Sequence, residues 1–235
     1  MRSWTAPLPW VTVFAVAMAM LEAAVVVYLR ALYYPGDELF PLVPIAADLA
    51  VTEVLREVAT LVLLLAPAAL VARQRLQRFA WFCYAFAIWD LFYYVFLKLL
   101  LDWPAGLFTW DLLFLLPIPW VGPVLAPCIV SVGLIAVAVV LLRQRARDAA
   151  FRPSWWEWSL MWAGAAVVLY TFVEGPLHFL LASDALRTGG DALQALSGHV
   201  PVRFSWLGFT VGCSLVLGAL ASMEVRGLRN RVAPW

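Results

Sequence analysis

Charged residues are scarce in this chain of 235 residues. Asp, Glu, Lys and Arg together make up 13% of it, and the formal net charge is +1. A soluble domain carries about a quarter of its residues as charged ones. A chain without an excess of basic residues has no electrostatic field that would draw nucleic acid to its surface. We therefore expect no nucleic-acid partner.

Cysteine and histidine are also rare. The three cysteines stand far apart and form no C-x-x-C pair, which argues against a thiolate metal site or a disulfide framework. The chain has only two histidines, His178 and His199, so we expect neither haem nor copper ligation. It also contains no Gly-rich phosphate loop and no serine or cysteine nucleophile motif.

Apolar residues dominate what is present. They make up 65% of the chain, and the mean hydropathy is +0.89. A run of about 20 apolar residues is long enough to cross the hydrocarbon core of a bilayer. We predict an all-α, polytopic membrane protein with six transmembrane helices in a single domain within the lipid bilayer. The predicted spans are residues 10–29, 45–72, 79–101, 122–142, 158–182 and 204–223.

The first apolar segment begins like a secretory signal peptide. Arg2 precedes it, and the small residues Ala17 and Ala19 imitate a cleavage site. The apolar run continues past this point to Leu29, so we expect the segment to be retained as the first helix.

Arginines and acids alternate between the connecting segments. In a six-span arrangement, the arginines fall on one side and the loop acids on the other. The positive-inside rule then places both termini in the cytoplasm, in a multi-pass protein of the cytoplasmic (inner) membrane. The arginines are Arg2, Arg73, Arg75, Arg78, Arg143, Arg145, Arg147, Arg152, Arg226, Arg229 and Arg231. The opposing acids are Asp37, Glu38, Asp102, Asp184 and Asp191.

Residues 107–142 do not fit a single helix. The stretch is apolar but contains four prolines, which remove backbone donors and break helices. As one helix it would be about 54 Å long, too long for the bilayer. We predict a proline-broken re-entrant or interfacial segment over residues 103–120 on the outer side, before helix four. It would be either the wall or lid of a site or an inert hairpin.

Small residues recur at four-residue spacing in the sixth span. Gly208 and Gly212 lie on one line, and Ser214, Gly218 and Ser222 lie on another. Small faces let helix backbones approach closely. We expect this spacing to serve packing inside the chain rather than a dimer seam.

Ionisable side chains are numerous within the second predicted span. Each central Asp, Lys or Arg costs about 2.5 kcal/mol or more on insertion. Glu53 and Glu57 share one helix face, and Arg56 can reach Glu53 from three residues away. Because arginine does not deprotonate in proteins, Arg56 needs a carboxylate partner within the membrane.

Two further helices carry polar stripes. Asp90, Tyr94 and Lys98 follow one another at steps of four, and Lys98 is expected to pair with Asp90 or Asp111. In the fifth span, Glu174 and His178 are four residues apart and share a face.

Most of these groups fall in the outer half of the predicted bundle, which suggests one polar cavity open to the outside. Arg56, Lys98, Asp111 and Tyr94 are expected to support the site through ion pairs or hydrogen bonds. The candidate cation ligands are Glu22, Glu53, Glu57, Asp90, Glu174 and His178.

Three functions are compatible with such a cluster. The first is a cation site, with a divalent metal ion such as iron, zinc or manganese as its expected occupant. The second is a proton- or cation-coupled transporter, because buried acids and histidines act as relays. The third is a structural or accessory subunit of a larger membrane complex, whose buried ion pairs set helix register. The expected protein partners are other membrane subunits or a second copy of the chain in a homodimer.

Overall fold

The computed structural model describes residues 4–34, 39–43, 46–116, 118–182 and 199–232. This part of the chain is mostly helical, and six of its helices are long and apolar enough to cross a membrane. Arg2, Pro117 and the predicted outer acids Asp37, Glu38, Asp184 and Asp191 lie outside the described residues. The helices are α1 Leu8–Tyr33, α2 Ala47–Val71, α3 Arg75–Leu101, α4 Leu125–Arg147, α5 Trp155–Ala182 and α6 Trp206–Val232.

The predicted number of such helices is confirmed, and most of the differences in their bounds are extensions. Several helices run on past the apolar spans into arginine-rich sequence. Helix α4 continues to Arg147 instead of ending at residue 142, and α6 continues to Val232 instead of residue 223. Arginine, glutamine and leucine are good helix formers, so helical structure outlasts the apolar pattern that located the spans.

The segment between α3 and α4 forms an antiparallel β-hairpin, an element that the all-α prediction did not contain. Strand β1, Trp110–Phe114, pairs with β2, Trp120–Pro123, and Asp111 lies opposite Gly122. The fourth predicted span began at residue 122, but that residue belongs to β2, and the helix itself begins at Leu125. The hairpin satisfies backbone hydrogen bonds that a proline-broken helix would leave open.

Helix α3 is the centre of one half of the bundle, where it packs against α1, α2 and α4. Its alanines Ala80, Ala85 and Ala87 are fully buried, so neighbouring helices can lie close to it. Helix α5 packs mainly against α6, and strand β2 packs against α5 and α4. The hairpin therefore lies across one end of the bundle and contacts both halves.

Helices α5 and α6 cross at two glycines. A Cβ atom placed on Gly212 would lie 2.8 Å from the carbonyl oxygen of Gly164 and 2.8 Å from a methyl carbon of Val168. One placed on Gly208 would lie 3.1 Å from a methyl carbon of Thr171. The line of Gly208 and Gly212 therefore faces α5 inside the chain, as the expectation of internal packing requires.

A buried carboxylate joins the start of α5 to α6. Glu157 is 2% exposed, and it accepts hydrogen bonds from the Ser154 backbone N–H, the Ser222 hydroxyl and the Arg226 guanidinium. The Glu157 N–H bonds the Ser154 hydroxyl in turn, at 3.3 Å, which completes a capping box. The S-x-x-E spacing in the sequence signals this box, but the partners on α6 are supplied only by the fold.

The two ends of the bundle differ in charge. One end contains the connecting segments 72–74 and 148–154. We call it the arginine end, because Arg73, Arg145 and Arg152 lie together there. We call the opposite end, where α3 leads into β1, the hairpin end.

Candidate functional site

A cavity opens at the hairpin end between α1, α2, α3 and β1, and we call it the acidic cavity. Its volume is about 170 Å³, which corresponds to on the order of ten water molecules. Among the described residues, five carboxyl groups line it against two guanidinium groups. These charged residues are Glu22, Arg30, Glu53, Arg56, Glu57, Asp90 and Asp111.

Arg56 is the centre of a three-residue ion network. Its Nε donates to Glu53 Oε2 at 2.7 Å, which confirms the pairing expected from their spacing. Its Nη1 donates to Glu22 on α1, and the Thr60 hydroxyl donates to the same carboxylate at 3.2 Å. Helix α1 is thereby joined to α2 through buried charge.

Two carboxylates hold the hairpin against the helices. Both Glu57 oxygens lie 3.0 Å from the backbone N–H of Leu115, just after β1. On β1, Asp111 is 3% exposed and accepts hydrogen bonds from the Tyr94 hydroxyl, at 3.0 Å, and from the Leu112 N–H, at 2.9 Å. The proline-broken segment is thus a wall of the cavity, attached through side chains of α2 and α3.

Burial shifts the Asp111 carboxyl group toward its neutral form, compared with an aspartate in water. Burial raises the pKa of Asp111 to about 6, although nearby Arg30 and the two hydrogen bonds act in the opposite direction. Arg30 itself stacks over Trp103, with its guanidinium carbon 4.0 Å from the ring centre. The Arg30 Nε is buried and has no hydrogen-bond partner among the described residues.

Like Asp111, two further acids of the cavity form no ion pair with any described residue. Asp90, which is 8% exposed, accepts a hydrogen bond of 2.8 Å from the Ser131 hydroxyl on α4. Glu57 has the neutral Leu115 N–H as its hydrogen-bond donor. Neutral donors compensate a buried negative charge less completely than a cation does.

The structure places Lys98 elsewhere than predicted. Its Nζ lies 2.7 Å from Asp102 Oδ1, and it bonds the carbonyl oxygens of Asp102 and Pro104 at 3.1 Å. It therefore pairs with neither Asp90 nor Asp111. Lys98 is in the last turn of α3, where a lysine is stabilised by the helix carbonyls and can extend its ammonium into water.

The structure does not bring Glu174 and His178 to the acidic cavity. Their helix, α5, packs against α6 and β2 rather than against α1 or α2. Glu174 lines a separate cavity of about 220 Å³ with His199 and Arg203, and His178 is exposed. His199 packs against Phe179 at 5.2 Å between ring centres, and burial lowers its pKa.

The predicted metal site can be compared with the positions of its six candidate ligands in the structure. Within the described ranges, no group of three or more His, Cys, Asp or Glu side chains is arranged to hold a metal ion. Of the six candidate ligands, the structure brings four to one cavity, namely Glu22, Glu53, Glu57 and Asp90.

Three lining residues, Arg30, Trp89 and Tyr93, are not among the candidates that the sequence indicates. Arg30 stands near the end of α1, beyond the predicted span. A signal existed, because Glu22, Val26, Arg30 and Tyr33 follow at steps of three and four along one side of a helix. All four line the cavity.

No family model, no curated protein and no solved structure matches this chain. The site is therefore interpreted from its own geometry and chemistry.

Proposed function

We propose that this protein is an integral membrane protein whose acidic cavity binds a cation that enters at the hairpin end. The observation that carries the proposal is the excess of five carboxyl groups over two guanidinium groups among the described residues around one cavity. An ionised carboxylate removed from water costs several kcal/mol unless a positive charge accompanies it. Glu57 and Asp90 form no ion pair with a described residue, so a bound cation would offset the excess negative charge of the cavity.

A small organic ammonium ion suits this cavity better than a bare metal ion. Trp89, Tyr93 and Tyr94 line the cavity together with the acids. Aromatic faces attract ammonium groups, and the attraction grows when water is excluded. A protein-bound metal such as zinc takes at least three protein ligands in one coordination shell. An ammonium ion needs only a carboxylate and a ring face.

The cavity supports binding more than passage across the membrane. Between the cavity and the arginine end, the described core of α1, α2 and α3 is apolar and includes Val11, Ala15, Leu64, Ala68 and Trp81. A relay for protons or cations needs polar groups along its whole length. We therefore propose a cavity that is closed at its inner end.

Titration of the purified protein with choline or methylammonium tests this function. We expect a saturable heat of binding in a calorimeter, and binding at least about tenfold weaker in Glu57→Gln and in Asp90→Asn. Both substitutions keep an oxygen that can accept the Leu115 or Ser131 hydrogen bond and remove only the charge. Asp102→Asn is the matched control, because its side chain is 92% exposed at the same end, and it should bind normally.

Three results would count against this assignment. Equal binding of the neutral carbon isostere of choline would show that the cavity does not recognise positive charge. Stoichiometric iron, zinc or manganese in elemental analysis, lost in Glu57→Gln, would make a divalent metal ion the occupant instead. If both variants bound every tested cation as the unaltered protein does, the buried acids would have only a structural role, as in an accessory subunit.

We further propose that the arginine end faces the cytoplasm, in accord with the positive-inside rule. Single cysteines introduced by Gln74→Cys and Ala105→Cys would report the two ends, because both positions are exposed. The background would have Cys83, Cys128 and Cys213 replaced by alanine. In intact cells, an impermeant maleimide should label Ala105→Cys and spare Gln74→Cys. The reverse labelling pattern would overturn this orientation.

A further inference from the structure

A second large cavity lies at the arginine end, far along the bundle from the acidic cavity. Its volume is about 1040 Å³, and it is bounded by the start of α3, the end of α4 and the segment that leads into α5. In the part of the chain that the structure describes, four arginines line it and no acidic residue does. They are Arg73, Arg75, Arg145 and Arg152. We call it the arginine pocket.

The positive charges of the arginine pocket are not balanced by acids among the described residues. Other arginines of this end are paired, Arg226 with Glu157 at 2.7 Å and Arg147 with Glu224 at 3.5 Å. None of the four lining arginines forms an ion pair with a described residue. Four unneutralised guanidinium groups around one cavity are a recognition site for an anion with several oxygens, since guanidinium groups bind phosphate in forked pairs.

The Arg145 side chain is fixed by hydrogen bonds and has a donor that is unsatisfied among the described residues and that such an anion could accept from. Its Nη1 donates to the carbonyl oxygens of Ala149 and Phe151, which fixes the side chain across the turn after α4. Its Nε is buried and has no hydrogen-bond partner among the described residues. A buried guanidinium N–H without an acceptor is costly and therefore rare. An anion seated in the pocket would provide the missing acceptor.

The pocket continues into an aromatic strip on the side of the bundle. Phe79 and Trp158 line the pocket, and their ring centres are 5.6 Å apart. Trp162, one turn further along α5, stacks on Trp158 at 6.1 Å and is 60% exposed. The strip leads from the arginines along the surface that a spanning helix presents to lipid. It suits a ligand with a charged group and a long apolar chain.

We propose that the arginine pocket binds an anionic phospholipid of the adjoining leaflet, with its phosphate among the arginines and an acyl chain along Phe79, Trp158 and Trp162. Basic pockets between transmembrane helices are suited to acidic lipid head groups. The aromatic strip favours a lipid over free phosphate, because free phosphate has no apolar part to cover it. This binding is independent of cation binding in the acidic cavity.

Native mass spectrometry of the full-length protein, titrated in detergent with phosphatidylglycerol or phosphatidylcholine, tests the proposal. We expect one phosphatidylglycerol to bind more tightly than any phosphatidylcholine. The double variant Arg73→Gln/Arg152→Gln should bind phosphatidylglycerol roughly 30-fold more weakly, given the contribution of each basic residue near an anionic lipid. Both side chains are exposed, so the variant should fold, which circular dichroism would verify.

The matched control is Arg143→Gln/Arg229→Gln, which removes the same charge from exposed positions at the same end outside the pocket. It should change phosphatidylglycerol affinity by about threefold or less. If phosphatidylglycerol affinity fell equally in the two double variants, the proposed binding in the pocket would be wrong. The lipid would then be attracted only by the overall positive charge of this end. Displacement of phosphatidylglycerol by inorganic phosphate at equal concentration would also overturn the lipid assignment. Weaker binding in Trp162→Ala would support the placement of the acyl chain.

Discussion

The substitution Arg56→Met is expected to lower the free energy of unfolding by about 3–5 kcal/mol, a large share of the total for most proteins. Arg56 is the ion-pair partner of both Glu22 and Glu53, whose side chains are only 12% and 9% exposed. Methionine fills a similar volume but leaves two mostly buried carboxylates without a counter-charge. Reversible unfolding in mixed micelles, followed by circular dichroism, would measure the loss.

Two companion variants separate charge from packing. The triple variant Arg56→Met/Glu22→Gln/Glu53→Gln removes the cation together with both anions, so most of the lost stability should return. Lys98→Met breaks the pair with Asp102, whose side chain is 92% exposed, and should cost less than about 1 kcal/mol. If Arg56→Met were as mild as Lys98→Met, the idea of a desolvated ion network would be wrong.

The second large effect is expected at the crossing of α5 and α6. Gly212→Ala should destabilise the protein by about 2–3 kcal/mol, because the new methyl group would lie 2.8 Å from the Gly164 carbonyl oxygen and 3.0 Å from the Val168 backbone nitrogen. Backbone atoms cannot turn aside as a flexible side chain can, so the helices must separate. Thermal unfolding in detergent would measure the change.

Gly218→Ala is the control within the same helix. Nothing lies within 4 Å of a Cβ placed on Gly218, and alanine is favoured over glycine in a helix interior by about 1 kcal/mol. Gly218→Ala should therefore be neutral or stabilising, whereas Gly212→Ala should be destabilising. If both variants changed the stability in the same direction, the close approach of the two helix backbones would be contradicted.

Features set by local sequence were predicted well. The number of helices follows from the length of each apolar run, which a bilayer requires whatever the neighbouring segments do. The pairing of Arg56 with Glu53 follows from a separation of three residues on one helix. The break between α3 and α4 follows from proline chemistry. Each of these depends on residues close together along the chain.

Features set by distant residues were not predictable in the same way. Prolines exclude a helix over residues 103–120, but the strand register that places Asp111 opposite Gly122 needs both strands at once. Glu22 meets Arg56 across 34 positions of sequence. The bonds from Tyr94 to Asp111 and from Leu115 to Glu57 likewise depend on how the hairpin folds back over α2 and α3.

Hydropathy alone predicts a six-helix, membrane-compatible chain, with its acids gathered toward one end and its arginines toward the other. Hydropathy and spacing report how far along a helix axis each side chain lies. They do not report which helices are neighbours around the bundle. The three-dimensional packing of the helices brings Glu22, Glu53, Glu57, Asp90 and Asp111 to one cavity. It also placed Glu174 and His178 outside that cavity, because α5 packs against α6 and β2 instead of α1 and α2.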